Sequence, residues 1–125
     1  MFRGAMATLP AADIDRAREF YAEVAGFSVS PQGADGSIRV QVAESSIMVY
    51  PSAFAGTNQA TAAGIGVDDI GQAVAHFRER GVQFEEYDFG EMKTVDGILT
   101  MPDGTKGAWF KDSEGNIVGL FDGEM

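Results

Sequence analysis

The feature that most constrains this chain is an internal repeat. Asp13, Ile14, Ala17, Tyr21 and Glu23 recur 56 residues later as Asp69, Ile70, Ala73, Phe77 and Glu79, and each series then reaches a glycine before an apolar run, Gly26-Phe27 and Gly81-Val82. At 125 residues the chain is one domain, or two half-size units that share one core. The repeat divides it into module one at about 1–51, a linker at about 52–61 and module two at about 62–125. The linker is rich in Ala, Gly, Ser, Thr and Asn, as a surface connection should be.

Each module opens on a short strand, Met6 to Leu9 or Ala62 to Val67, followed by a helix that an Asp caps. At helical spacing the first helix buries Ile14, Ala17, Tyr21 and Val24, and the second buries Ile70, Ala73, Val74 and Phe77. About three strands then follow in each half. In module one they read Phe27 to Ser30, Ser37 to Val42 and Ser46 to Tyr50, with turns at Gly33-Ala34-Asp35-Gly36 and Glu44-Ser45. In module two they read Val82 to Tyr87, then Ile98 to Met101 with Lys106 to Lys111, and Ile117 to Phe121. Pro102-Asp103-Gly104-Thr105 is a tight turn, and in Asp112-Ser113-Glu114-Gly115-Asn116 both Gly115 and Asn116 accept positive φ. The polar stretch Asp88 to Asp96 is long for a hairpin connection and is expected to cover something.

Charge and cysteine content narrow the function classes. Nine Lys and Arg against nineteen Asp and Glu leave a formal charge of −10, which repels phosphate backbones and anionic membranes, so neither nucleic acid nor membrane is an expected partner. Solubility accounts for that charge first, and attraction of a cationic ligand second. Without Cys there is no disulfide framework, thiol nucleophile or thiolate metal site. No apolar run is long enough to span a bilayer, and the residues before Leu9 do not read as a secretory signal. A cytoplasmic location is expected.

The motifs carry a resemblance. Trp109-Phe110-Lys111-Asp112-x-Glu114-Gly115-Asn116, the first-helix pattern Asp13-x-Asp15-x-Ala17-x-x-Phe20-Tyr21-x-x-x-x-Gly26-Phe27, and the entry Val67-Asp68-Asp69-Ile70 together resemble the glyoxalase/bleomycin-resistance/dioxygenase superfamily, the vicinal oxygen chelate proteins. The resemblance covers the chain nearly end to end. It implies an α+β fold of two βαβββ modules, with sheets around a central cleft and helices outside, and a homodimer. It also implies, for the metal-dependent members, four side chains that hold a divalent ion used as a Lewis acid. Those positions fall here on Met6, Ala62, Ile47 or Met48, and Gly119, none of which binds a hard divalent cation. The expectation is therefore a metal-free cleft and no cofactor.

What lines the cleft instead follows from alternation, since strand residues two apart share a face. If Gly119 faces the cleft, so do Ile117 and Phe121; Met6 goes with Thr8, and Ala62 with Gly64 and Gly66. Met48 and Tyr50 read as cleft and Ile47 and Val49 as core, with the opposite register left open. Trp109 and Lys111 share a face, and Lys106 is a further candidate. The expected ligand-binding set is Met6, Thr8, Met48, Tyr50, Lys106, Trp109, Gly119 and Phe121. The small residues either leave room for a ligand or let elements approach closely.

Other chemistry reads weakly. His76, the only histidine, lies about 110° from the centre of its helix's apolar stripe at about 100° per residue, so a structural or exposed role is expected. Glu85, Glu86, Asp88 and Glu91 read as a solvated edge, because alternation sends the first two to opposite faces. Gly64-x-Gly66 lacks the third glycine of a phosphate loop. The leading function is a metal-free small-molecule binding protein that sequesters a drug or metabolite. The alternative is a metal-independent isomerase or lyase using Tyr50, Lys106 or a loop carboxylate, and a third reading is an interaction module with a vestigial cleft.

Overall fold

A computed structural model describes residues 1–124. The order of elements is β1 (Ala7–Ala11), α1 (Ile14–Glu19), β2 (Ser28–Val29), β3 (Ile38–Val42), β4 (Ser45–Pro51), β5 (Thr61–Gly66), α2 (Ile70–Arg78), β6 (Ile98–Thr100), β7 (Lys106–Lys111) and β8 (Ile117–Phe121). The strands form two four-stranded sheets of equivalent order, β1-β4-β3-β2 and β5-β8-β7-β6. In each, the first strand runs parallel to the last and the others are antiparallel, so the repeat in sequence is a repeat in topology. The sheets meet where β1 touches β5.

Both helices begin as the sequence dictates. The Asp13 carboxylate accepts from the Arg16 N–H and the Asp69 carboxylate from the Gln72 N–H, each satisfying a donor that the first helical turn leaves free. The first helix continues as a π-helical turn over Phe20–Val24, in which the Ala25 N–H donates to the Phe20 carbonyl. Tyr21 is fully buried there, whereas Val24 is only half-buried. One core joins the two modules: Leu9, Tyr21, Val40 and Val49 from the first pack in the same cluster as Ile65, Phe77, Phe110 and Leu120 from the second. His76 helps to tie them, since its half-buried ring bonds through Nε2 to the Ala25 carbonyl at 2.9 Å.

Several local expectations change. Val82 to Tyr87 is not a regular strand, because the outer edge of β7 is already shared. β6 takes the half from Lys106 to Ala108, leaving only a bridge between Phe84 and Phe110 and a bond from the Glu85 N–H to the Trp109 carbonyl. The three strands after α2 are thus β6, β7 and β8. The turn between β3 and β4 is Ala43-Glu44 rather than Glu44-Ser45, with Ala43 at φ +51 and Val42 paired to Ser45. In the last hairpin only Gly115 takes positive φ.

Candidate functional site

Each sheet has one face against the helices and one turned away, and alternation decides which side chains reach the second. On β4, Ile47 and Val49 lie in the core, so the register left open by the sequence places Met48 and Tyr50 on the far face. On β8, Val118 and Leu120 lie in the core, and Ile117, Gly119 and Phe121 turn outward. Thr8 is exposed beside Met48, and Arg39 flanks Met48 on its other side, making a Thr8–Met48–Arg39 row across module one. Met6 stands just before β1 and is 39% exposed.

One member of the expected set, Lys106, and the small residue Ala62 expected on the same face lie elsewhere. Lys106 alternates with Trp109 and so falls on the side of Ala108 and Phe110; it is exposed at the strand's end, where its N–H donates to Asp122 Oδ1 at 2.7 Å. Ala62 does not share a face with Gly64. A bulge between Thr61 and Ala63 turns Ala62 toward the core, and Thr61 takes the outward place. There the Thr61 hydroxyl accepts a hydrogen bond from Trp109 Nε1–H at 3.1 Å.

The far face of module two is organised by aromatic rings on a glycine floor. Phe121 lies over Gly64, Gly107 and Gly119; a Cβ on Gly119 would come within 2.5 Å of Phe121 Cζ and 3.0 Å of Trp109 Nε1. The small residues therefore serve close approach, since they lower the two rings onto the sheet. Phe121, Trp109, Tyr87 and Phe89 follow one another at centroid separations of 5.6, 5.6 and 5.7 Å, the first two contacts edge-on. This ladder runs from the centre of the face out to the 88–96 loop. Met92 of that loop packs on the same cluster. Between Phe89 and Trp109 opens a pocket of about 280 Å³, floored by Ile117 and rimmed by Gln59, Ala60 and Thr61.

Sequence reasoning missed Thr61, Tyr87 and Phe89. The available signal was an aromatic residue, Phe89, inside a polar loop. A larger groove of about 480 Å³ lies on the helix side beside Phe20 and Lys111, and it contains none of the expected residues.

The metal implied by the resemblance can be tested against the donors present. The positions concerned carry Met6, Met48, Gly119 and, after the bulge, Thr61, whose hydroxyl is engaged by Trp109. Phe121 fills the space into which a side chain at residue 119 would project. Among the described residues no three of His, Cys, Asp and Glu converge in a way that could hold a metal ion. The residues do not fit the group.

A second constellation lies at the other end of β7 and β8. Asp112 accepts from the Tyr21 hydroxyl at 2.6 Å, from the Asn116 amide at 3.0 Å and from the N–H groups of Glu114 and Asn116. The Asn116 amide also donates to the Pro10 carbonyl. Glu114 accepts two bonds from the Arg16 guanidinium, at 2.8 and 3.0 Å, and one from the Asp13 N–H at 2.9 Å. Burial pushes the Glu114 carboxyl up, but the bonds from Arg16, the Asp13 N–H and Ser113, with the charge of Arg16, outweigh it and hold the pKa at about 2. Burial beside Asp112 pushes the Tyr21 hydroxyl well above its usual range. These groups clasp the two modules together, and their polar atoms are consumed in doing so.

Residues 5–120 match the model of the Glyoxalase/Bleomycin resistance protein/Dioxygenase superfamily. The chain belongs to that superfamily. No curated protein sequence matches it significantly. Solved structures do. The chain is similar to a bleomycin resistance determinant encoded on the transposon Tn5, at TM-score 0.74 and 17% identity over 99% of this chain and 100% of that one. It is also similar to TnmS3, an antibiotic binding protein from Streptomyces sp. CB03234, at TM-score 0.68 and 20% identity over 99% of both chains. A lactoylglutathione lyase from Agrobacterium tumefaciens superposes with TM-score 0.71 at 15% identity over 98% and 96%. At these identities the likeness is one of fold, and the fold houses both binders and enzymes. No helix among the described residues is long and apolar enough to cross a membrane.

Proposed function

We infer that this superfamily member is a metal-free small-molecule binding protein, acting as a homodimer in the cytoplasm, which sequesters a drug or metabolite on the far face of module two. The observation that carries this reading is the ring ladder Phe121–Trp109–Tyr87–Phe89 ending in an open apolar pocket. Aromatic rings left wet at the mouth of a pocket favour a ligand that covers them. Phe89 is 68% exposed, and covering the rest of that ring would contribute about 1–2 kcal/mol to a complex before the costs of association. Met48, Tyr50 and Thr8 offer further contact for a ligand that extends over module one. The likeness to a bleomycin resistance determinant and to an antibiotic binding protein agrees with sequestration.

The metal-independent isomerase or lyase receives less support. Tyr50 lies on β4 and Lys106 at the outer end of β7, in different sheets and on different faces, so they do not form an acid–base pair.

Trp109 is the only tryptophan and reports on the site directly. Protein stripped by chelator is scanned for thermal unfolding with divalent metals and then with an antibiotic and metabolite panel, while Trp109 emission is followed. A compound at about 100 times its dissociation constant adds roughly 2.7 kcal/mol and moves the midpoint by several degrees. The reading stands if a compound gives a saturable shift and perturbs Trp109. It falls if a metal alone shifts the midpoint, or if no compound binds below millimolar concentration.

A further inference from the structure

We propose that the pocket beside Trp109 selects a neutral, flat aromatic group bearing a hydrogen-bond acceptor, and that it does so against the charge of the whole chain. This rests on the reading above that the ring ladder is the ligand site.

The first argument is charge. The chain carries −10, yet none of the side chains around this pocket is charged: the walls are Tyr87, Phe89 and Trp109, the floor is Ile117, and Gln59 and Thr61 supply the polar rim. A charged group entering it would lose hydration without meeting a counter-charge in the lining; Glu85, whose charge is felt at Tyr87, repels an anion further and only partly offsets the cost to a cation. The net charge acts over about a Debye length and affects arrival, while the pocket lining sets residence.

The second argument is hydrogen-bond polarity. Trp109 Nε1–H is already given to Thr61, so the Thr61 hydroxyl keeps its own proton to donate. The hydroxyl of Tyr87 and the amide of Gln59 make no hydrogen bond to a described residue; the bonds at Tyr87 are backbone ones, with Thr94. Burial, then the charge of Glu85, raises the Tyr87 pKa, so this hydroxyl remains a donor at neutral pH. Thr61, with a lone pair already engaged by Trp109, is the group most biased toward donating, and it meets a ligand acceptor such as a ring carbonyl, to which the Tyr87 hydroxyl and the Gln59 NH2 can also donate.

The third argument is size. At about 280 Å³ the pocket lies at the lower limit for small-molecule sites, about 300 Å³, and so admits one small ring system. The rest of a larger ligand would lie outside it.

The experiment uses the full chain and three matched probes: 2-acetonaphthone, 2-naphthoate and 2-naphthylmethylammonium, titrated against Trp109 emission at about 0.15 M salt. The neutral ketone is expected to bind about tenfold more tightly than either charged probe, a difference of about 1.4 kcal/mol. The Tyr87→Phe and Gln59→Ala variants, which remove two of the three donors, should narrow its advantage over naphthalene, the double variant more than either alone, with the ratio of ketone to naphthalene affinity in each variant as the readout. Circular dichroism and thermal midpoints establish that the variants are folded, and Tyr87→Phe retains the ring if Gln59→Ala does not fold. Equal or tighter binding of the cation overturns the proposal, as does an undiminished ketone preference in folded variants. If none of the probes perturbs Trp109 while a larger compound from the panel does, the ligand class is wrong and the binding-protein reading survives.

Discussion

The two modules share a strand order and an Asp-capped helix, yet their equivalent hairpins do opposite jobs. The β3–β4 turn, Ala43-Glu44, is two exposed residues, and among the described residues only the Gln41 side chain bonds to its backbone. The β7–β8 turn is longer and buries Asp112, Glu114 and Asn116, which reach Tyr21, Arg16, Asp13 and Pro10 of module one. The far faces differ in the same way. Module one shows separate half-buried side chains such as Met48 and Tyr50, whereas module two presents one connected set of rings. The two modules repeat one scaffold, and module two carries both the lock between them and the proposed binding surface. The lock faces inward and is satisfied; the surface faces outward and is not.

The sharpest way to break the comparison is at Asp112. Asp112→Ala removes the acceptor of four hydrogen bonds and strands the buried Tyr21 hydroxyl, so we expect a loss of about 3–5 kcal/mol in urea unfolding. Glu44→Ala, in the equivalent turn of module one, should stay within about 0.5 kcal/mol. Similar costs at the two positions would mean that the buried turn is not what joins the modules.

Next in size is Phe121→Ala, which uncovers the buried Gly107 and Gly119 and removes the inner rung of the ladder. Phe121 is half-buried, so the expected loss is about 2–3 kcal/mol of stability, less than the value for a fully buried Phe, together with at least about tenfold in ligand affinity. Normal affinity in this variant would move the ligand away from the ladder.

Acid separates lock from surface more gently. The carboxyl of Glu114 has a folded pKa of about 2 against an unfolded value of 4.5. The folded value is the lower one, so its contribution is fully present above about pH 4.5 and is lost as pH falls toward 2. Arg16 is 54% exposed at its side chain and screened by solvent, which reduces the expected contribution to about 1–2 kcal/mol. Glu114→Gln should flatten stability between pH 5 and about pH 3 relative to the parent chain, as read by unfolding midpoints. An unchanged slope would show that other carboxylates carry the acid sensitivity.

The outline of this asymmetry was legible in the sequence. The repeat gave the modules, Asp13 and Asp69 the helix starts, and alternation the faces of β4 and β8. What escaped was set by contacts distant in sequence. The bulge that brings Thr61 outward follows from the pairing of β5 with β8, which no local pattern specifies. The irregular path of Val82 to Tyr87 depends on how much of the β7 edge β6 leaves free. The turn at Asp112 was recognisable as a turn, but its bonds to Tyr21 and Arg16 span 91 and 98 residues. The polar composition of the 88–96 loop concealed Phe89, the outermost ring of the ladder.

The smallest expected effect tests the boundary of the surface. Lys106 belongs by alternation to the opposite side of β7 from Trp109 and is exposed at the strand's end, so Lys106→Ala should change stability by less than about 0.5 kcal/mol and leave Trp109-monitored binding unchanged. The backbone bond of Lys106 to Asp122 does not depend on the side chain and should persist. Tyr50→Phe removes a hydroxyl on the face that does carry the ligand-contact candidates, and a loss there but not at Lys106 would extend the surface across β4 into module one. A loss at Lys106 alone would place the ligand at the β6–β7 edge, where Lys106 lines a separate groove of about 350 Å³ with Lys93 and Glu91. The two halves would then share the binding work differently, with the edge of one sheet rather than its far face as the ligand's seat.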